Sequence, residues 1–380
     1  MHLLFASAIV LATLKTGVVV DNIACSSDPS ITYAYYLPTT YDASNRYPTI
    51  FVFDPRKRGA LGAELFRDAA ERFGWIVVSS NNTESDTDPQ PSVHAIQLTL
   101  PEAMRTFSID RRRTYVAGFS GTAIIAWAVA DVAKDIAGVF GSSGRPLPQP
   151  NYNVPFAWYG TAGLRDFNYI ETFEIDRGMA AANATHRVEL FDGEHQWAPK
   201  DLVMRGAEWF EILAMRSGTR ARDDAFIGQT FDKEFAIASA MNDPLDAARH
   251  FETIVRTYEG LVDVDSARKR AAETRASKEF AKAQKDEQRA VEFELSSRMR
   301  LARVIQQFID SSEPPLAASL AHDLNIAGLQ KQASRNTYEG RAAQRALAAT
   351  RGQLGFYAAQ RVSGQKLTVM QTVAQQMRNP

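Results

Sequence analysis

The feature that most constrains this chain is an alternation of two kinds of segment. Short apolar runs of strand length, Ile31–Leu37, Thr49–Phe53, Trp75–Ser79, Thr114–Phe119, Ile136–Phe140, Val154–Tyr159 and Arg187–Phe191, follow one another along the first part. Between them lie segments of helical length: Ala60–Phe73, Val93–Phe107, Thr122–Ala133, Asn168–Ala182 and Lys200–Met215. Continuous apolar runs mark strands buried on both faces, which requires a mostly parallel sheet covered by helices. The fold class is therefore α/β, a doubly wound, mostly parallel sheet with helices on both faces. In such sheets ligands bind beyond the carboxyl ends of the strands, so strand-to-helix junctions are where chemistry is expected.

Composition changes sharply after this region. Residues 1–216 hold 14 Gly, 12 Pro and all five Trp, whereas residues 217–380 hold 8 Gly, 4 Pro and no Trp. The polar, proline-free stretch 217–224 is the natural boundary, dividing an α/β domain (17–217) from an all-α domain (222–380). Few contacts are expected to cross such a boundary, so the first part is expected to work without the second. In the second part Ala247, Phe251 and Ile254 share a helical face, and the pattern resembles degenerate tetratricopeptide-type helix pairs, whose period is ~34 residues. The charged run Arg268–Arg289 reads as one long solvated helix.

Several classes are disfavoured. With 43 basic and 44 acidic residues the net charge is −1, no footprint for nucleic acid. Cys25 is the single cysteine, which excludes an internal disulfide and cysteine-rich metal sites; it reads as a buried structural thiol. No apolar run reaches the ~20 residues that span a bilayer. No cofactor and no metal are expected. Leu3–Leu14 reads as the apolar region of a signal peptide over residues 1–16, placing the protein outside the cytoplasm; the alternative is a buried first strand or helix in a cytoplasmic protein.

One junction stands out. The run Thr114–Phe119 enters Gly118-Phe119-Ser120-Gly121-Thr122, and a helical segment begins at once. A strained strand-to-helix turn flanked by small residues would present the Ser120 hydroxyl to the ligand face. A serine needs an adjacent base, and His195 lies in a loop just after the last core strand. Asp166 follows the strand Val154–Tyr159 and is the expected orienting acid, with Asp192 the competing candidate three residues before His195. For an oxyanion hole the expected donors are the amides of Gly121 and Arg56, Pro55 having none. The trio Arg56, Lys57 and Arg58 could face an acidic substrate group or only solvent. Asn81 and Asn82 are expected at the rim of the site, and Trp197 either as a wall of it or as core.

These segments resemble a family. Tyr33-Ala34-Tyr35-Tyr36-Leu37-Pro38, Gly118-Phe119-Ser120-Gly121, Gly163-Leu164-Arg165-Asp166-Phe167-Asn168-Tyr169 and Gly193-Glu194-His195-Gln196-Trp197 together resemble α/β-hydrolases of the secreted esterase type. The resemblance lies near the polyhydroxybutyrate depolymerases, feruloyl esterases and dienelactone hydrolase-like proteins. The resemblance covers residues 17–216 and implies Ser120, Asp166 and His195 as a triad cleaving carboxylic esters. Asp54-Pro55 stands where the family usually has His-Gly, and Thr122 where the elbow usually ends in Gly. No cap domain is evident between core strands, so a shallow, open site suited to bulky or polymeric esters or to acylated peptides is expected. Two alternatives are a serine peptidase of the prolyl-oligopeptidase kind and a silent hydrolase fold whose helices bind a protein partner.

Overall fold

The computed structural model describes residues 14–144, 151–312 and 316–377. Apart from Leu14, the amino-terminal apolar stretch lies outside them. An eight-stranded sheet forms the first part. Its strands are β1 (Val19–Cys25), β2 (Asp28–Tyr36), β3 (Tyr47–Phe53), β4 (Ile76–Ser80), β5 (Ile109–Phe119), β6 (Gly138–Ser142), β7 (Ala157–Gly163) and β8 (His186–Phe191). Their spatial order is β1-β2-β4-β3-β5-β6-β7-β8. β3 to β8 run parallel, while β2 pairs antiparallel with both β1 and β4.

Helices α1 (Gly59–Phe73) and α5 (Lys200–Arg216) cover one face, burying Phe66, Trp209 and Phe210 against Val52, Phe140 and Tyr159. Helices α2 (Gln90–Thr106), α3 (Gly121–Ala133) and α4 (Tyr169–Ala181) cover the other, burying Trp127, Ile175 and Met179 against Phe51, Val116 and Trp158. β1 escapes the sequence pattern for a local reason. Its polar Asp21-Asn22 pair interrupts any apolar run, yet the ladder continues past a register shift there, with Asn22 in the left-handed region at φ 56°. Cys25 at its end is fully buried.

The second part is all helical: α6 (Asp224–Ala240), α7 (Pro244–Tyr258), α8 (Asp265–Arg275), α9 (Lys278–Asp310), α10 (Ala317–Asp323), α11 (Ile326–Ala333), α12 (Tyr338–Gln360) and α13 (Gly364–Gln376). The run expected to be one long helix is broken at Ser277, whose hydroxyl caps α9 by accepting the Phe280 N–H at 3.1 Å. None of the described helices is long and apolar enough to cross a membrane.

The expectation that few contacts cross between the parts is corrected by the packing. Ile212 and Met215 of α5 share a core with Ile227, Phe251 and Ile254 of α6 and α7. Beside it lies a buried ionic cluster. Glu234 of α6 receives Arg187 of β8 at 2.5 Å and His250 of α7 at 2.7 Å, while Arg205 of α5 reaches Glu189 of β8 at 2.9 Å. The boundary is polar at its linker, but the surfaces it joins are apolar and charged in a complementary way.

Candidate active site

β5 delivers Ser120 into a conformation an L-residue rarely takes, φ 57° and ψ −130°. Such strain costs ~1–3 kcal/mol and persists only where neighbours enforce it. Gly118 allows the turn, because a Cβ there would stand 2.2 Å from the Thr122 carbonyl oxygen. Gly121 allows the loop bearing Ser85 to approach, since its Cβ would lie 2.4 Å from the Ser85 Cβ. Thr122, the departure from the family pattern, has a structural use. Its Oγ1 lies 2.5 Å from the Phe53 carbonyl and 2.8 Å from the Phe119 carbonyl, and it accepts the Phe119 N–H at 3.1 Å. The hydroxyl thereby ties the elbow to the carboxyl end of β3.

His195 and Asp166 meet Ser120 from two other strand ends. His195 Nε2 lies 2.8 Å from Ser120 Oγ, and its Nδ1 lies 2.9 Å from Asp166 Oδ1. The same Asp166 oxygen accepts the Asn168 N–H at 2.9 Å, and the carboxylate is fully buried. The imidazole ring stacks on Phe167, centroids 4.1 Å apart, and leans on Phe119 at 4.9 Å. Asp192 is instead ion-paired to Arg165 with its side chain 80% exposed, so the competing acid faces solvent. The chemistry available is proton transfer from Ser120 through an imidazole whose far nitrogen is fixed by a buried carboxylate.

Other expected residues are placed differently. Arg56 reaches the cavity, but its N–H donates to Asp54 Oδ1 at 2.9 Å, so that amide is already engaged and is no ready oxyanion donor. Gly121 N–H is the first amide of α3, a position helix geometry leaves without an intrahelical partner. Asn81 and Asn82 do not line the cavity. Asn81 accepts the Gly59 N–H at 3.0 Å and donates to Thr32 at 3.2 Å; Asn82 accepts the Thr32 N–H at 2.8 Å and donates to Ser30 O. Both fasten β2 to its surroundings, because side-chain amides just past a strand end find unpaired backbone first. Trp197 belongs to the core, packed on Phe66 and Phe119, and its Nε1 donates to Asp54 Oδ2 at 2.9 Å. Asp54 is fully buried and also holds Arg58 through two 2.9 Å bonds. Lys57 pairs with Glu84 at 3.0 Å, so of the basic trio only Arg56 has an uncommitted side chain among the described residues.

The α/β part does not bound the site alone. Among the described residues no cap is inserted between the core strands, but α12 and α13 line the opening and form with it a cavity of about 1340 Å³ that contains Ser120 and His195. Gly352, Gly355 and Phe356 of α12 and Met370 of α13 line the far side. Sequence reasoning missed these because they stand some 230 residues or more beyond the elbow, in a region read as separate.

Among the described residues, Glu189, Glu234 and His250 are a group whose ligand atoms lie within 4.8 Å of one another. Arg187 and Arg205 already neutralise both carboxylates, so the donor set is that of an ion-pair node.

No protein-family model matches the chain, and no curated protein does. Solved structures similar to it include a ferulic acid esterase, 16% identical, covering 51% of this chain and 97% of its own with a TM-score of 0.43. A hyperthermophilic esterase from the archaeon Pyrobaculum calidifontis is 12% identical, covering 53% and 87%, TM-score 0.42. The S-formylglutathione hydrolase of Staphylococcus aureus is 12% identical, covering 52% and 98%, TM-score 0.42.

Proposed function

We propose that this chain is a serine hydrolase cleaving carboxylic esters through an acyl-enzyme. The observation that carries the reading is the continuous hydrogen-bond chain Ser120–His195–Asp166, set at a strained elbow and opening into a cavity. Ser120 Oγ attacks the ester carbonyl carbon while His195 Nε2 takes its proton. The carbonyl oxygen becomes an oxyanion facing the Gly121 N–H. Collapse breaks the bond to the alcohol oxygen, which leaves with the proton held by His195. Water then repeats the sequence on the acyl-Ser120 and releases the acid. Asp166 keeps the imidazole in the tautomer that presents a bare Nε2 and stabilises the imidazolium without taking the proton.

The size of the cavity, above the common range of roughly 300–1,000 Å³, favours bulky esters. The test is steady-state turnover of a panel running from acetyl to long-chain and aromatic esters, with a matched peptide amide beside it. Turnover of esters and labelling by a fluorophosphonate support the reading. Cleavage of the amide alone would favour the peptidase alternative, and absence of both reactions would leave the silent-scaffold alternative.

A further inference from the structure

The loop that carries Asp166 is held from outside the α/β part. Arg345 of α12 donates from Nη1 to the Leu164 carbonyl at 2.8 Å, reaching across 181 residues of sequence. Arg298 of α9 donates to the Phe167 carbonyl and to Glu171 at 3.1 Å. The two carbonyls flank Asp166 on either side, and Phe167 is the ring on which His195 stacks. Both guanidiniums are anchored on one carboxylate. Glu294 of α9 is fully buried; it accepts from Arg345 Nε at 2.7 Å and is ion-paired with Arg298 at 2.5 Å. Arg345 is itself 3% exposed, and its guanidinium lies 4.2 Å from the centre of the Tyr169 ring. Two cations held by a third group, Arg345 buried and Arg298 partly buried, each spending an arm on a backbone carbonyl, form a device more specific than general packing between two parts requires. A planar fork can bond a carboxylate and a carbonyl at once, which an ammonium on a flexible stem does less well.

We infer that Arg345 and Arg298 are positioning residues of the active site. Through Glu294 the helical part fixes the loop Leu164–Asn168, and with it the Asp166–His195 hydrogen bond. The inference rests on the proposed hydrolase reading. It assigns the carboxyl-terminal helices a share in catalysis that the α/β part lacks alone.

The test uses the full chain. Arg345→Lys retains a charge opposite Glu294 but gives up the second arm; Arg345→Leu removes both and is the variant at risk of not folding. Folded Arg345→Lys, with circular dichroism of the native chain, should lose ~10²-fold in kcat at nearly constant KM, the scale expected for a displacement of about 1 Å. A purely structural role would lower the melting temperature and leave kcat per folded molecule intact. A second readout needs no substrate: the far-downfield proton resonance of a His Nδ1–H bonded to a carboxylate, assigned by its loss in Asp166→Asn. It should shift or broaden in Arg345→Lys and in Arg298→Lys. Native kcat together with an unmoved resonance in both variants overturns the inference. If the native chain cleaves no ester, the hydrolase reading fails separately and the resonance alone decides the positioning role.

Discussion

Glu234→Gln is the sharpest perturbation of the union between the two parts. Arg187 and Arg205 carry two positive charges that face the two negative charges of Glu189 and Glu234. Arg187, Glu189 and Glu234 have side chains 2%, 4% and 3% exposed, so solvent screens them little. Glutamine keeps the shape and removes one of the two buried negative charges that face Arg187 and Arg205. Breaking a buried pair in this way costs ~3–5 kcal/mol. For 380 residues at ~2.1 cal/mol/K each, the unfolding entropy is about 0.8 kcal/mol/K, so the melting temperature should fall by roughly 4–6 °C. Scanning calorimetry of the full chain reads both the shift and the number of transitions. Arg268→Gln, removing an exposed pair with Glu259 and Asp265, is the control and should cost under ~1 kcal/mol. A Glu234→Gln chain melting within about 1 °C of the native one would refute the reasoning, and two separate transitions in the native chain would show that its parts unfold independently.

Three further outcomes are expected. Asp166→Asn should lower kcat by ~10⁴-fold, because the imidazole tautomer is wrong, whereas Asp192→Asn should cost far less; stopped-flow or steady-state ester kinetics distinguish them. Acid should loosen the interface between the parts. Burial opposes ionised Glu234, but Arg187, the His250 hydrogen bond and Arg205 outweigh it and hold the carboxyl well below its usual range. Glu189 is likewise lowered, burial being outweighed by Arg187 and Arg205. Both groups bind protons more weakly folded than unfolded, so their stabilisation is complete above the unfolded value near 4.5 and is lost as pH falls through the lower folded values, which urea titrations at stepped pH will show. Gly355→Trp places a ring in space where an added Cβ would meet nothing within 4 Å, and should reduce the ratio of kcat/KM for long-chain over acetyl esters by ~10-fold or more.

How much of this was legible depended on the range of the interaction. The buried strands were readable because burial on both faces leaves uninterrupted apolar runs, and Ser120, Asp166 and His195 because each falls where a parallel strand ends. β1 was hidden by a polar bulge at Asn22. Arg56, Asn81 and Asn82 were assigned to the site by their loops, yet what a loop amide bonds to is decided by neighbours such as Asp54 and Thr32 that only the folded chain brings near. Arg298, Arg345 and Glu294 look like ordinary helix charges, since nothing in a charged helical sequence distinguishes a residue turned to solvent from one buried against a loop 130 or more residues away.

The central claim is that Ser120 is the nucleophile at a site roofed by the chain's own helices. Its most direct test is mass spectrometry of the fluorophosphonate-treated full chain, with ester turnover of Ser120→Ala measured alongside. The adduct should map to the peptide containing Gly118–Thr122, at Ser120, and the Ser120→Ala chain, folded with a native dichroism spectrum, should show neither labelling nor turnover. An adduct on another serine, or undiminished turnover by folded Ser120→Ala, would contradict the claim.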